Sequence, residues 1–374
     1  MLSARLLYEG RGVHPVGLSC WPPSFAPHAA AAGEEGASAE GVQAAGAHGH
    51  AGGAHGHGGD DAGRWLDAVR SALKHGTNLI AVADICGLGR TERLLSSLWS
   101  EVPRETVRIA CAAGHFRGTA PHPYAAPHLH HQFKQTLDNL ATDYLDLYVL
   151  DRPDFGPDGR HLADAVRPLS AWRDSGVVRS VGLRVPGATA SADTRRAFGR
   201  AVRALAPDVL VVTYNALTGP VRIDGADVFD YAAERGLRVL ITSPLAHGLL
   251  AAPPSAPPSP ACAGHPWFHP GVRRIVRDGL RPLRERFGDE ALPGLALRHC
   301  LDRAPHAVVL PGFSHPDQIA LHHTGLDVPF GAHDQELVDD TYARLRSRLS
   351  RTMGSSASVA SDGSGAREPT NSSA

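Results

Sequence analysis

The chain has 374 residues, 43% of them apolar, which is enough to bury a large core within one α/β domain. Its 37 basic and 38 acidic residues leave a formal charge of −1, so the general attraction of a basic chain for nucleic acid or an anionic membrane is absent. Five scattered cysteines without a CxxC pair make neither a disulfide framework nor a zinc-ribbon spacing, and there is no leader-like or membrane-length apolar run. The expectation is a cytoplasmic protein with a small-molecule ligand, no nucleic-acid or membrane partner, and no sequence signal for an oligomeric state.

Pro15–Trp21 reads as a first strand. It is followed by a low-complexity insertion of Ala, Gly and His over residues 22–63, whose composition cannot bury enough apolar surface to fold alone. His48, His50, His55 and His57 in that insertion present imidazoles on a flexible chain. They could converge on a divalent metal, or simply belong to a solvated loop. Strands and helices then alternate. Helix Arg64–His75 leads to strand Asn78–Asp84, and helix Arg90–Trp99 to strand Val107–Ala113. Helix Pro127–Ala141, apolar at Leu129, Phe133, Leu137 and Leu140, precedes strand Leu145–Leu150. A helix marked by Leu162, Val166, Leu169 and Trp172 precedes strand Val177–Arg184, and Thr194–Leu205 precedes Val209–Asn215. Residues Ile223–Arg235 lead into strand Leu237–Ser243, and two helices, Val272–Phe287 and Leu292–Asp302, lead into strand Ala307–Pro311. A helix at Gln335–Leu349 closes the fold, and residues 350–374, rich in Ser and Gly, read as a disordered tail. The strands are continuous apolar runs, as in a parallel sheet covered by helices. Eight such units make a (β/α)₈ TIM barrel, a single domain over residues 1–349.

The stretch Asn139–Asp154, Asn-Leu-Ala-Thr-Asp-Tyr-Leu-Asp-Leu-Tyr-Val-Leu-Asp-Arg-Pro-Asp, resembles the fourth-strand signature L-G-T-D-Y-I-D-L-Y-L-I-H-R-P-D of the aldo-keto reductases. Asn78–Asp84 with Gly87, Gly89, Arg90, Thr91 and Glu92 is similar to N-F-I-D-T-A-D-V-Y-G-x-G-R-S-E. Gly176–Gly182, Tyr214-Asn215, Ser243-Pro244-Leu245 and Pro311-Gly312 resemble further motifs of the family, in the same order. The resemblance implies that residues 1–13 form the hairpin that plugs the bottom of the barrel. It also implies hydride transfer from NAD(P)H to a carbonyl by an Asp/Tyr/Lys/His tetrad, in which a Lys cation makes the Tyr phenol acidic enough to donate its proton. Here the four positions are Ala81, Cys86, Ala112 and Asp151. The family's nicotinamide-amide pair falls on Arg184-Val185, its strand-six Gln on Val211, its stacking aromatic on Thr242 and its adenine pair on Leu321-His322. Ser243, Leu245, Gly312 and Ser314 would contact a dinucleotide only if one binds.

Residues at the C-terminal strand ends face the site of such a barrel. Asp151, Cys86 and Arg184 are therefore the candidate catalytic residues, with His115 and Tyr124 from the loop after strand three and with Cys20, Cys111 and Thr242 nearby. Arg184 could hold a carboxylate or phosphate, while Asp151 with Cys86 or a loop His could move protons. Three readings stand. The first is a redox-neutral enzyme acting on an anionic metabolite without a cofactor, and the second a catalytically dead binding or regulatory barrel. The third is an NADP(H)-dependent oxidoreductase with substitute residues. Arg184 free of Asp151 would favour the first, and a mouth filled by its own side chains the second.

Overall fold

The computed structural model describes residues 5–8, 11–20, 58–83, 86–188, 190–251, 266–313, 315–326 and 328–362. Strands β1 (Arg5–Tyr8) and β2 (Arg11–Val13) form an antiparallel hairpin. Beyond it run β3 (Leu18–Ser19), β4 (Leu79–Ala83), β5 (Arg108–Ala113), β6 (Leu147–Leu150), β7 (Val181–Arg184) and β8 (Val209–Thr213). A small hairpin of β9 (Arg222–Ile223) and β10 (Ala226–Asp227) intervenes before β11 (Arg238–Thr242) and β12 (Val308–Leu310). The eight-stranded sheet has the order β3-β4-β5-β6-β7-β8-β11-β12, all parallel. Isolated parallel bridges, Val16 to Val309 and Ser19 to Gly312, bring its two edges together into a barrel.

The helices are α1 (Gly58–Lys74), α2 (Arg90–Ser96), α3 (Ala126–Leu140), α4 (Leu162–Asp174), α5 (Ala192–Leu205) and α6 (Val228–Glu234). They continue with α7 (Pro270–Gly279), α8 (Arg281–Phe287), α9 (Leu292–Arg303), α10 (Pro316–Thr324) and α11 (Ala332–Asp362). Their boundaries follow from local chemistry. Ser191 Oγ accepts from Thr194 N at 3.1 Å to start α5, and Asp227 Oδ1 accepts from Phe229 N at 2.9 Å to start α6. Helix α3 buries the face predicted for it, where Phe133 stacks on Trp172 of α4 at 3.9 Å between ring centroids.

Two apolar layers result. Leu79, Ala110, Leu147, Val149, Val209, Val211, Leu240, Val308 and Leu310 pack inside the barrel, with Val13 of the hairpin among them. The alternate strand residues, such as Ile80, Ile109, Tyr148 and Ile241, pack against the helices. Asn78 locks the hairpin to the barrel, donating from Nδ2 to Gly12 O at 3.1 Å and accepting from His14 N at 2.9 Å. Buried Asp146, just before β6, accepts from Ile109 N at 3.0 Å and pairs with Arg104 at 3.2 Å, pinning β6 to β5.

Two boundaries depart from the sequence reading. Helix α1 begins at Gly58, inside the range expected to be loop. The sequence Asp60-Asp61 is itself a helix-start signal, since acidic residues are favoured in a first turn, and the His-rich composition before it masked that signal. Helix α11 continues past residue 350, the expected start of a disordered tail, to Asp362. Near the expected boundary Ser350 Oγ donates to Arg346 O at 3.0 Å and Thr352 Oγ1 to Arg348 O at 3.0 Å, so these two hydroxyls bond back along the helix. Residues 22–57 of the insertion, with His48, His50, His55 and His57, and also Ser314, lie outside the described residues.

Candidate functional site at the barrel mouth

Strand alternation decides which side chains reach the mouth. With Ala110 and Ala112 of β5 and Leu147 and Val149 of β6 turned inward, Asp151 is the next inward position, one step beyond the end of β6. Its backbone N donates to Ala113 O at 2.9 Å, which extends the ladder by that residue, and Pro153 prevents further pairing. Arg184, Thr213 and Thr242 are the last residues of β7, β8 and β11, with Thr213 in register with Thr242 and Arg184 in register with Val211.

These residues are joined. Arg184 Nε donates to Asp151 Oδ1 at 2.6 Å, and Arg184 Nη1 donates to Thr213 Oγ1 at 3.2 Å and Thr242 Oγ1 at 3.1 Å. The other Asp151 oxygen, Oδ2, lies 2.6 Å from His115 Nε2. The Asp151 side chain is 4% exposed, against 23% for Arg184 and 13% for His115. Burial by itself would raise the Asp151 carboxyl; the Arg184 guanidinium and then the His115 bond outweigh it and hold the group below its ordinary value. Beneath the network is a space of about 40 Å³, lined chiefly by small and apolar side chains, with Ser19, Asp151, Arg184 and Thr242 as its polar wall. Ala81 and Ala112 are in that lining.

Other candidates fall elsewhere. Tyr124 is fully buried away from this space, a correction to its placement at the mouth. Its phenol donates to Arg152 O at 2.9 Å and accepts from Arg152 N at 3.0 Å, clamping the turn after β6, and its ring stacks on Phe155. Gly114, at φ +117, permits this, because a Cβ there would stand 2.2 Å from the Tyr124 oxygen. Cys20 and Cys111 also do not line the cavity; both belong to the layer between strands and helices. Burial, first of all, raises both of their thiols well above the ordinary value. Cys86 is buried too, its backbone N bonded to Ala83 O at 2.9 Å, and its side chain is not part of the cavity wall. Ser243 has a left-handed backbone (φ 53) and its carbonyl accepts from Asn215 Nδ2 at 3.1 Å. Leu245 is buried, and Gly312 bridges to Ser19 at the barrel seam. Sequence reasoning missed Thr213 and Ser19. The former closes β8 in register with Thr242 of β11, and the latter is the strand-one residue that faces inward in place of Cys20. Among the described residues no group of three or more His, Cys, Asp or Glu is arranged to hold a metal ion, and no helix is long and apolar enough to cross a membrane.

The sequence profile of the Aldo/keto reductase family matches residues 52–342. The chain belongs to the aldo/keto reductase family. Among curated members it is 24% identical over 290 residues to an NADH-specific methylglyoxal reductase of Escherichia coli K12, spanning 73% of this chain and 86% of that protein. It is 28% identical over 198 residues to a 6-dehydroglucose reductase of Novosphingobium aromaticivorans, spanning 50% and 61%. Among solved structures of the family, a glycerol dehydrogenase from Gluconobacter oxydans superposes with a TM-score of 0.66 at 19% identity, covering 92% of this chain and 95% of that one. An aldo-keto reductase from Klebsiella pneumoniae, solved in complex with NADPH, gives 0.60 at 17% identity, covering 91% and 96%. In this aldo/keto reductase barrel, three of the positions that the motifs align with the tetrad, Ala81, Ala112 and Asp151, surround one space.

Proposed function

We propose that this chain is an aldo/keto reductase-family barrel that binds a small molecule at its mouth and does not carry out NAD(P)H-dependent carbonyl reduction. The observation that carries the reading is the Arg184–Asp151–His115 network, which occupies the mouth with the protein's own charges. A phenol made acidic by a neighbouring ammonium is what the family resemblance requires, and Cys86 and Ala112 stand at those two positions. The fit of a nicotinamide ring is equally poor. It would have to enter where Arg184 is bonded to Thr242 and Asp151, above a space of about 40 Å³. Small-molecule pockets ordinarily offer roughly 300–1,000 Å³.

A second reading, redox-neutral proton transfer on an anionic metabolite, is favoured by the Asp151–His115 bond, since a carboxylate that grips one imidazole nitrogen orients the ring for acid–base work. The remaining ring nitrogen, Nδ1, is itself buried, so His115 must turn before it can meet a ligand.

The test is a hydride-transfer assay on purified full-length protein with NADH and NADPH, using methylglyoxal as the probe carbonyl, alongside calorimetric titration of both dinucleotides. We expect no turnover and no micromolar binding. Steady oxidation of either dinucleotide, lost on Arg184→Met, would sink the reading and restore reduction by substitute residues.

A further inference from the structure

The bonding of Arg184 is asymmetric. A guanidinium offers five N–H groups, and a carboxylate normally engages one edge of it through two parallel bonds. Asp151 engages only Nε, because its second oxygen is drawn 2.6 Å from His115 Nε2 instead. Nη1 is committed to Thr213 and Thr242. Nη2 makes no hydrogen bond among the described residues, and the side chain is 23% exposed. The Nε–Nη2 edge, the one suited to a planar oxyanion, is therefore only half used.

Beside it lies the partly open space of about 40 Å³ whose other walls include Ser19, Ala81, Ala112 and Thr242. At roughly 10–15 Å³ for each water-sized occupant, it takes about three heavy atoms. That size suits a formate- or acetate-like carboxylate and is too small to bury a sugar or a nicotinamide ring. A tetrahedral phosphate is larger and would bring a second negative charge against Asp151.

We propose that the Nε–Nη2 edge of Arg184 is the receptor for a small carboxylate, and that Asp151 is its built-in competitor. The incoming carboxylate takes both nitrogens, while Asp151 releases Nε and stays on His115. The protein thus holds a tethered surrogate of its own ligand, which keeps the arginine from lying unpaired when the site is empty. The proposal rests on reading the mouth as a ligand-binding site, and it names the ligand's chemical class.

The experiment is calorimetric titration of full-length protein with formate and with acetate at constant ionic strength, chloride serving as the balancing salt. Asp151→Asn removes the competing charge and is expected to bind at least tenfold more tightly than the parent protein. Arg184→Met is expected to lose binding, and Arg184→Lys, which keeps the charge without the fork, to retain only part of it. Because Arg184→Met also strands a buried carboxylate, a second readout uses the unmutated protein: acetate should raise its Tm above that in equimolar chloride. Asp151→Asn binding no tighter than the parent overturns the proposal, as does undiminished binding to Arg184→Lys. If no carboxylate binds while the hydride assay stays silent, this proposal fails and the non-reducing reading stands. Hydride turnover instead removes that reading, whatever the carboxylate result.

Discussion

The two oxygens of Asp151 serve two different partners, and both partners favour the charged form of a nearly inaccessible carboxylate. Removing one member of such a buried pair costs about 3–5 kcal/mol, whereas replacing both with apolar groups is close to neutral. Arg184→Met should therefore lower the stability measured by urea unfolding by about 3–5 kcal/mol. Adding Asp151→Leu should restore most of it, and a double variant no more stable than the single one would contradict this account. Asp151 and Arg184 were legible in the sequence because both end motif-bearing strands, whose C-terminal ends point to the mouth. Their partnership was foreseen as one of two arrangements, since no spacing rule states whether two charges on neighbouring strands pair or stay apart. Cys111 faces away from the space, and the strand period accounts for it. With Ala112 inward at the family's Lys position, the two-residue period of a strand sends Cys111 outward. For Tyr124 no such signal exists, because a loop has no period to read.

The elements were read from apolar runs and helical spacing, and these signals sufficed for all eight barrel strands. The β9–β10 hairpin was passed over because its strands are too short to show alternation. A usable clue was present in Asp224-Gly225, a pair that favours tight hairpins and that adopts φ +50 and +86 here. The packing of α9 on α10 depends on a feature no periodicity reveals. Gly294 lies so close to Gly325 that a Cβ on it would stand 2.1 Å from the Gly325 carbonyl carbon. Backbone cannot yield as a flexible side chain can, so Gly294→Ala should cost at least the about 1–3 kcal/mol typical of overpacking. Thermal unfolding checks it; an unchanged Tm would mean that the two helices separate freely.

At the scale of the whole molecule, buried imidazoles among the described residues couple stability to acid pH. Burial first, then Arg346, lowers His299 on α9 to about 4; burial first, then His323, does the same for His322 on α10. Once unfolded, both titrate near the ordinary 6.5. Between those values the unfolded chain binds more protons than the folded one, so stability is complete above about pH 6.5 and declines as pH falls toward about 4. Every tenfold loss of proton affinity on folding is worth about 1.4 kcal/mol for each histidine. Calorimetry should show a flat Tm above neutrality and a progressive fall through that window, shallower in His322→Gln. Asp151 adds nothing there, since a depressed carboxyl loses its contribution only below the usual carboxylate range.

The barrel seam has a consequence in time. Strand β3 is two residues long and meets β12 through Gly17 N to Val309 O at 2.9 Å, Ser19 N to Pro311 O at 3.0 Å and Val309 N to Pro15 O at 2.9 Å. Every other neighbouring pair of the sheet joins strands consecutive in the barrel, but this one unites the first with the last. The loop entropy of nearly the whole chain must be lost before these few bonds form. By contact order, closure is therefore expected late in folding, so that substitutions at the seam should speed unfolding more than they slow refolding in stopped-flow measurements. A sheet not yet closed would present two open edges to its neighbours.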